Sequence, residues 1–388
     1  MSARFTIDGS EQLESRLSLL CETISHSIQK IVSRSKLEAI VLGGGYGRGE
    51  GGVLRAIEGD QPYNDIEFYV FIAGSPLLNS RRYRAPLEQL AEELSKSIGI
   101  HVEFKVDSIR KLRKDEVSMF SYDLLSAHRV VLGEEAVFSG CEHHLDSSAI
   151  PISEATRLLL NRGTGLLLAR EILEQGDLSA AQSDFIGRNL AKAKLALGDA
   201  LLTGLGEYHW SCRERHLRLC SVLRGAHATL PFSGFTLENI LGHHSSGVRF
   251  KLHPAGFTKS AQEFLREHDD LAALALEIWL WVESRRRNRP ISSLRDCVLN
   301  HSAASGSAFS WRNYVLNART FGLAALFDPM SRFYPRERLL CSLPLLLRKS
   351  ELSDGTVVRE HLQKQLRTSA TDWPGLVSAY KQIWPGYA

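Results

Sequence analysis

Apolar residues recur at three- and four-residue steps through Leu13, Leu17, Leu20, Ile24, Ile28 and Ile31, which places them on one face of a long first helix. The run LEAIVLGG (Leu37 to Gly44) then predicts a short strand. A second strand is predicted over DIEFYVFI (Asp65 to Ile72) from its β-branched and aromatic content, and a second helix through Leu87, Leu90, Ala91, Leu94 and Ile98. In IHVEFKVDSI (Ile100 to Ile109), Val102, Phe104 and Val106 alternate with His101, Glu103, Lys105 and Asp107. That alternation predicts a half-buried strand with its polar side toward water.

Beyond AHRVVLGEE (Ala127 to Glu135) and the punctuation DSSAIPIS, the pattern changes to long helical runs: SEATRLLLNRGTGLLLAREIL, DFIGRNLAKAKLALGDALL and SAQEFLREHDDLAALALEIWLWVESRRR. The expected fold class is α/β + α, with a mixed sheet and its helices over residues 1–150 and a mostly α-helical domain over residues 151–388. HSSG and HSAASGSAFS read as loops.

Composition narrows the picture. A chain of 388 residues, 44% hydrophobic and 23% charged, suits two globular domains with cores of their own. Its 47 basic and 44 acidic residues leave a net charge of +3, so no global field points to nucleic acid or a membrane surface. The longest apolar stretch, Leu271 to Val282, is too short to span a bilayer, and MSARFTIDGSEQ lacks the succession of a signal peptide; a cytoplasmic location with no membrane partner is expected. Six cysteines lie scattered without any CxxC or Cys/His pairing, and are expected to be reduced and mostly interior.

The chemistry concentrates in the first domain. VLGGGYGRGEGG (Val41 to Gly52) carries seven glycines directly after the first strand. The strand that follows opens with Asp65 and Glu67, which alternation puts on one side. Glu103 on the polar face of the third strand is a further acid, so three carboxylates from adjacent strands are placed to converge. Like charges that close need a cation, and hard oxygen ligands suit Mg²⁺. Glycines beside them let backbone N–H groups approach phosphate, with a helix N-terminus expected to add its dipole. The stretch is not a P-loop, because no Gly-Lys-Ser/Thr follows, and the acid pair on the next strand fits a dinucleotide fingerprint poorly.

An apolar residue, a glycine pair, an Asp-x-Glu between apolar residues and a later strand acid together resemble the DNA polymerase beta-like nucleotidyltransferases. GGYGRGE (Gly44 to Glu50) is similar to the glycine motif of bacterial protein uridylyltransferases, and the likeness spans Leu37 to Gly133. The resemblance implies that Gly44 and Gly45 hold a triphosphate, that Asp65, Glu67 and Glu103 bind two Mg²⁺ ions, and that Glu103 assists deprotonation of an acceptor hydroxyl. The implied reaction moves a nucleoside monophosphate from an NTP, ATP in first place, onto a small molecule or protein, with a nucleic acid acceptor not expected. Two departures stand out: VLRAIEGDQPYN implies an inserted loop between glycines and acids, and the second acid is Glu rather than Asp. They motivate the alternative of a catalytically degenerate, nucleotide-binding or regulatory module.

Other residues are placed by the same reasoning. Arg48 is read either as a phosphate contact or as a surface residue on a first helical turn, Glu50 as a helix-dipole partner, and Asp107 as the alternative third carboxylate. In the helical part, Lys192 is the candidate triphosphate lysine, with Lys194 beside it, and Asn161 and Arg162 interrupt an apolar run and are candidates to face the nucleotide. His143, His144, His243, His244 and the EHDD segment (Glu267 to Asp270) are expected to be solvated or structural, and SRRRNRP (Ser284 to Pro290) a solvated helix end.

Overall fold

A computed structural model describes residues 4–225, 235–301, 310–352 and 355–387, so residues 302–309 of the expected loop HSAASGSAFS lie outside it. The chain divides into two compact units. One comprises Met1–Pro151 with Gly206–Arg218 and Val248–Ala255; the other comprises Ile152–Leu205, Leu219–Gly247 and Gly256–Ala388. The first break lies beside the expected boundary, but the two short later segments were expected in the helical part.

The first unit opens with helix α1 (Glu11–Ile31), which buries Leu13, Leu17, Leu20, Ile24 and Ile28 at the expected spacing. Strand β1 (Leu37–Leu42) leads into α2 (Gly44–Gly47), a single turn of four residues. The expected inserted loop is a hairpin of β2 (Val53–Ala56) and β3 (Gly59–Pro62), paired from Val53↔Pro62 to Ala56↔Gly59. Next come β4 (Ile66–Ile72), α3 (Pro76–Ile98), β5 (Val102–Asp107), α4 (Ile109–Leu112), α5 (Met119–Ser126) and β6 (Arg129–Leu132).

Four of these strands form a mixed sheet in the order β5-β4-β1-β6, with β4 and β5 parallel and the other two pairs antiparallel. Ile66, Phe68, Val70, Val102, Phe104 and Val106 turn to the side covered by α1 and α3. Tyr69 and Phe71 turn to the other side, where Ile109, Leu112 and Leu124 pack. Because strand side chains alternate, Glu67 and Glu103 are held on that second side.

The second unit is helical: α6 (Ser153–Leu173), α7 (Ala180–Leu205), the end of α8 (Cys212–Arg224), most of α9 (Leu237–Leu252), α10 (Ala261–Arg286), α11 (Leu294–Leu299), α12 (Trp311–Phe321), α13 (Arg336–Leu347), α14 (Thr356–Leu366) and α15 (Trp373–Ile383). Leu160, Leu197, Leu274, Ile278, Leu343 and Leu376 share one core. Helix α10 starts in a capping box formed by Ser260 and Glu263.

One sequence expectation changes here, and another narrows to one of its two alternatives. Arg286 and Arg287 of SRRRNRP are not a solvated end: both are nearly buried and sit 2.7 and 2.6 Å from Glu283 Oε2, itself buried. His268 of EHDD, His144 and His244 are all buried, with ring nitrogens on Leu166 O, Leu112 O and Asp199 Oδ1, so their roles are structural. Cys141, Cys212, Cys297 and Cys341 are buried, and among the described residues no helix is long and apolar enough to cross a membrane.

Candidate active site

Strand β1 ends in the centre of the sheet and delivers the glycines onto the face that carries Glu67. Most of the glycine requirement is packing. A Cβ at Gly47 would overlap the carbonyl of Leu42, for instance, so side chains are excluded there whatever the loop binds. Gly44 differs: its φ of +61° is a left-handed conformation that glycine adopts without strain, and a Cβ there would meet only Glu67, 3.7 Å from Cδ. The amides of Gly43, Gly47, Arg48, Gly49 and Glu50 are spent on backbone carbonyls. Those of Gly44 and Gly45 make no such bond among the described residues, which leaves two N–H groups beside the strand acid. With only four residues, α2 supplies no helix dipole of consequence, contrary to the expectation from sequence.

Register decides which acids meet. The parallel ladder pairs Glu67 with Glu103 and Phe71 with Asp107, so Glu103 lies beside Glu67 and Asp107 does not. Asp107 instead accepts from Lys111, 3.2 Å from Oδ1. Asp65, one residue before β4, is exposed and makes no hydrogen bond or ion pair among the described residues. Glu67 Oε2 accepts from Tyr69 Oη at 2.7 Å and from Lys105 Nζ at 3.2 Å, and the same ammonium lies 3.1 Å from Glu103 Oε2. Burial alone would raise the Glu67 carboxyl, but the Lys105 charge and the Tyr69 hydroxyl outweigh it and hold the carboxyl below its usual range. Burial, with the Glu67 charge in support, drives the Tyr69 phenol well above its ordinary value, so it remains a donor.

This geometry tests the expected metal centre. Asp65 and Glu67 offer hard oxygen donors two residues apart at the start of β4, a donor type that suits one Mg²⁺. Glu103 does not fit as a third ligand, because a lysine already joins it to Glu67. Among the described residues no group of three or more His, Cys, Asp or Glu side chains is arranged to hold a metal ion, so the convergence of three carboxylates is corrected to a pair plus a lysine-bridged acid.

Beside the loop lies a basic cluster that periodicity did not reveal. Arg48 is no surface residue: its side chain is 9% exposed, and Nη1 lies 2.6 Å from Asp123 Oδ2 on α5. Tyr208 Oη also donates to that oxygen, at 3.3 Å, and Arg215 Nη1 donates to Tyr208 Oη at 3.0 Å. Arg48 Nε and Asp123 Oδ1 are buried without a hydrogen-bond partner among the described residues. Lys251, in the last turn of α9, is half-buried by area yet enclosed by protein; burial, with Arg48 adding to it, pushes its ammonium down to about 8. Glu50 is a helix-terminus partner, but of α8 rather than its own turn: Oε1 accepts from Ser211 Oγ at 2.5 Å and Oε2 from Cys212 N at 2.9 Å. Among the described residues, the cations Arg48, Arg215 and Lys251 gather about the carboxylates Asp123 and Glu50, a basic environment suited to an anion.

The remaining candidates belong to the helical unit. Asn161 is exposed on α6, with Arg162 half-buried next to it. Lys192 is exposed on α7, and Lys194 is ion-paired with Glu267. Lys105, Tyr69, Asp123, Tyr208, Arg215 and Lys251 were missed as site residues. Only Lys105 and Tyr69 carried a signal, each standing two residues from an acid on the same strand side. No protein-family model, curated protein or solved structure matches the chain.

Proposed function

We propose that the chain is a Mg²⁺-dependent nucleotidyltransferase that moves a nucleoside monophosphate, AMP in first place, from an NTP to a hydroxyl of a small molecule or protein. The observation that carries this reading is Gly44: its amide makes no backbone hydrogen bond among the described residues, and a Cβ there would stand 3.7 Å from the carboxylate carbon of Glu67. A triphosphate laid on the amides of Gly44 and Gly45 would bring its α-phosphate to the acid strand, with Arg48 and Lys251 supplying positive charge. Bound Mg²⁺, held by Asp65 and Glu67, would offset charge on the phosphate oxygens. The acceptor oxygen forms a bond to the α-phosphorus as the bond to pyrophosphate breaks. Glu103, whose Oε1 is not engaged by Lys105, takes the hydroxyl proton.

Asp65→Asn and Glu67→Gln test the assignment. Each is expected to lower Mg²⁺-dependent pyrophosphate release and transfer of α-labelled ATP into a cell extract by at least about a hundredfold, about 2.7 kcal/mol. Unchanged transfer in both variants would overturn it.

One observation favours a second reading, a nucleotide-binding module without transfer: Lys105 occupies the space between two of the three acids. Tight ATP binding by calorimetry, with no pyrophosphate released under any acceptor, would establish that reading instead.

A further inference from the structure

We propose that Lys105 is the resident cation of this carboxylate cluster, so that the chain takes one divalent ion, between Asp65 and Glu67, where a three-acid arrangement would take two. The inference rests on the nucleotidyltransferase reading above, and its test separates the two.

Lys105 follows Glu103 by two residues on β5 and pairs with Tyr69 in the ladder, which points all these groups to one side of the sheet. Its Nζ lies 3.2 Å from Glu67 Oε2 and 3.1 Å from Glu103 Oε2, and 5.5 Å from the centre of the Tyr69 ring. Tyr69 Oη donates to the same Glu67 oxygen at 2.7 Å. The two oxygens of Glu67 thus have different surroundings. Oε2 is taken by a lysine and a phenol, whereas Oε1 faces the loop, 3.8 Å from where a Cβ of Gly44 would stand. Oε1 and the exposed Asp65 carboxylate remain for a metal ion. A second divalent ion bridging Glu67 and Glu103 would meet the ammonium at close range, and like charges in a half-buried site repel strongly. The lysine is a covalent part of the chain, so Glu103 has a counter-charge whether or not a metal is bound.

The experiment counts Mn²⁺ bound per protein-bound α,β-methylene-ATP by electron paramagnetic resonance, with circular dichroism confirming the fold of each variant. One ion is expected for the wild-type chain and for Lys105→Arg, which keeps the cation, and two for Lys105→Met, which vacates its place. Asp65→Asn is expected to bind none. Two ions in the wild-type chain, two in Lys105→Arg, or one in Lys105→Met would overturn the inference and leave the nucleotidyltransferase reading standing. No ion in the wild-type chain would overturn both.

Discussion

Arg48 Nη1 and Asp123 Oδ2 lie 2.6 Å apart although 75 positions separate the residues, and this pair ties the glycine loop to α5 from beneath. A buried pair that loses one partner leaves an uncompensated charge, which costs on the order of 3–5 kcal/mol. Asp123→Ala is therefore expected to lower the unfolding free energy by about that amount in urea titrations. The double variant Arg48→Met/Asp123→Leu should lose less than the sum of the single changes. Additive losses would show that the pair is not coupled.

Gly44 and Gly47 are expected to respond differently to alanine. At Gly44 there is room for a methyl group, and the cost is the left-handed φ of +61°, about 1–2 kcal/mol. Gly44→Ala should fold, melt a few degrees lower and bind ATP more weakly. At Gly47 the methyl would overlap the Leu42 carbonyl, so β1 itself must shift. Gly47→Ala should express poorly or fail to melt cooperatively; a variant as stable as Gly44→Ala would contradict the packing account.

If the basic cluster binds a polyphosphate, Lys251 is expected to couple that binding to protons. Its ammonium is pushed down to about 8, against an ordinary lysine value of about 10.4. The folded state therefore holds fewer protons than the unfolded one between these values, and stability rises with pH across that window. A bound polyphosphate favours the charged amine and raises its pKa again. ADP binding near pH 9 is expected to take up a proton, and binding at pH 7 is not, as read from calorimetry in two buffers of different ionisation heat. Lys251→Met should abolish the uptake; persistence of the full uptake would exclude this lysine as its source.

Glu50 contributes a pH dependence of the same sign in the acid range. Burial would raise its carboxyl, but the hydrogen bonds from Ser211 and Cys212 outweigh it and lower the pKa in the fold. The contribution is present above the unfolded carboxyl value of about 4.3 and is lost as pH falls through the folded value. Glu50→Gln is expected to cost about 1.5–3 kcal/mol at pH 7 and to flatten the fall in stability below about pH 4. Equal acid sensitivity of variant and wild type would refute the assignment.

The hydrophobic period was enough to find α1 from Leu13 to Ile28, the inward face of β5 from Val102 to Val106, and the long helices α6 and α10, because each signal is carried by residues a few positions apart. The same local order put Asp65 and Glu67 on one side of a strand after a glycine-rich turn. Whether Glu103 or Asp107 stands beside Glu67 depended on the β4–β5 register, a relation between strands that a strand's own period does not contain. The role of Lys105 followed from that register. Arg48, read at a turn, acquired its partner Asp123 only through packing. Tyr208, Arg215 and Lys251 come from segments whose own sequence said nothing about the unit they would join. Local sequence sets which face a side chain takes, and tertiary packing sets what that face meets.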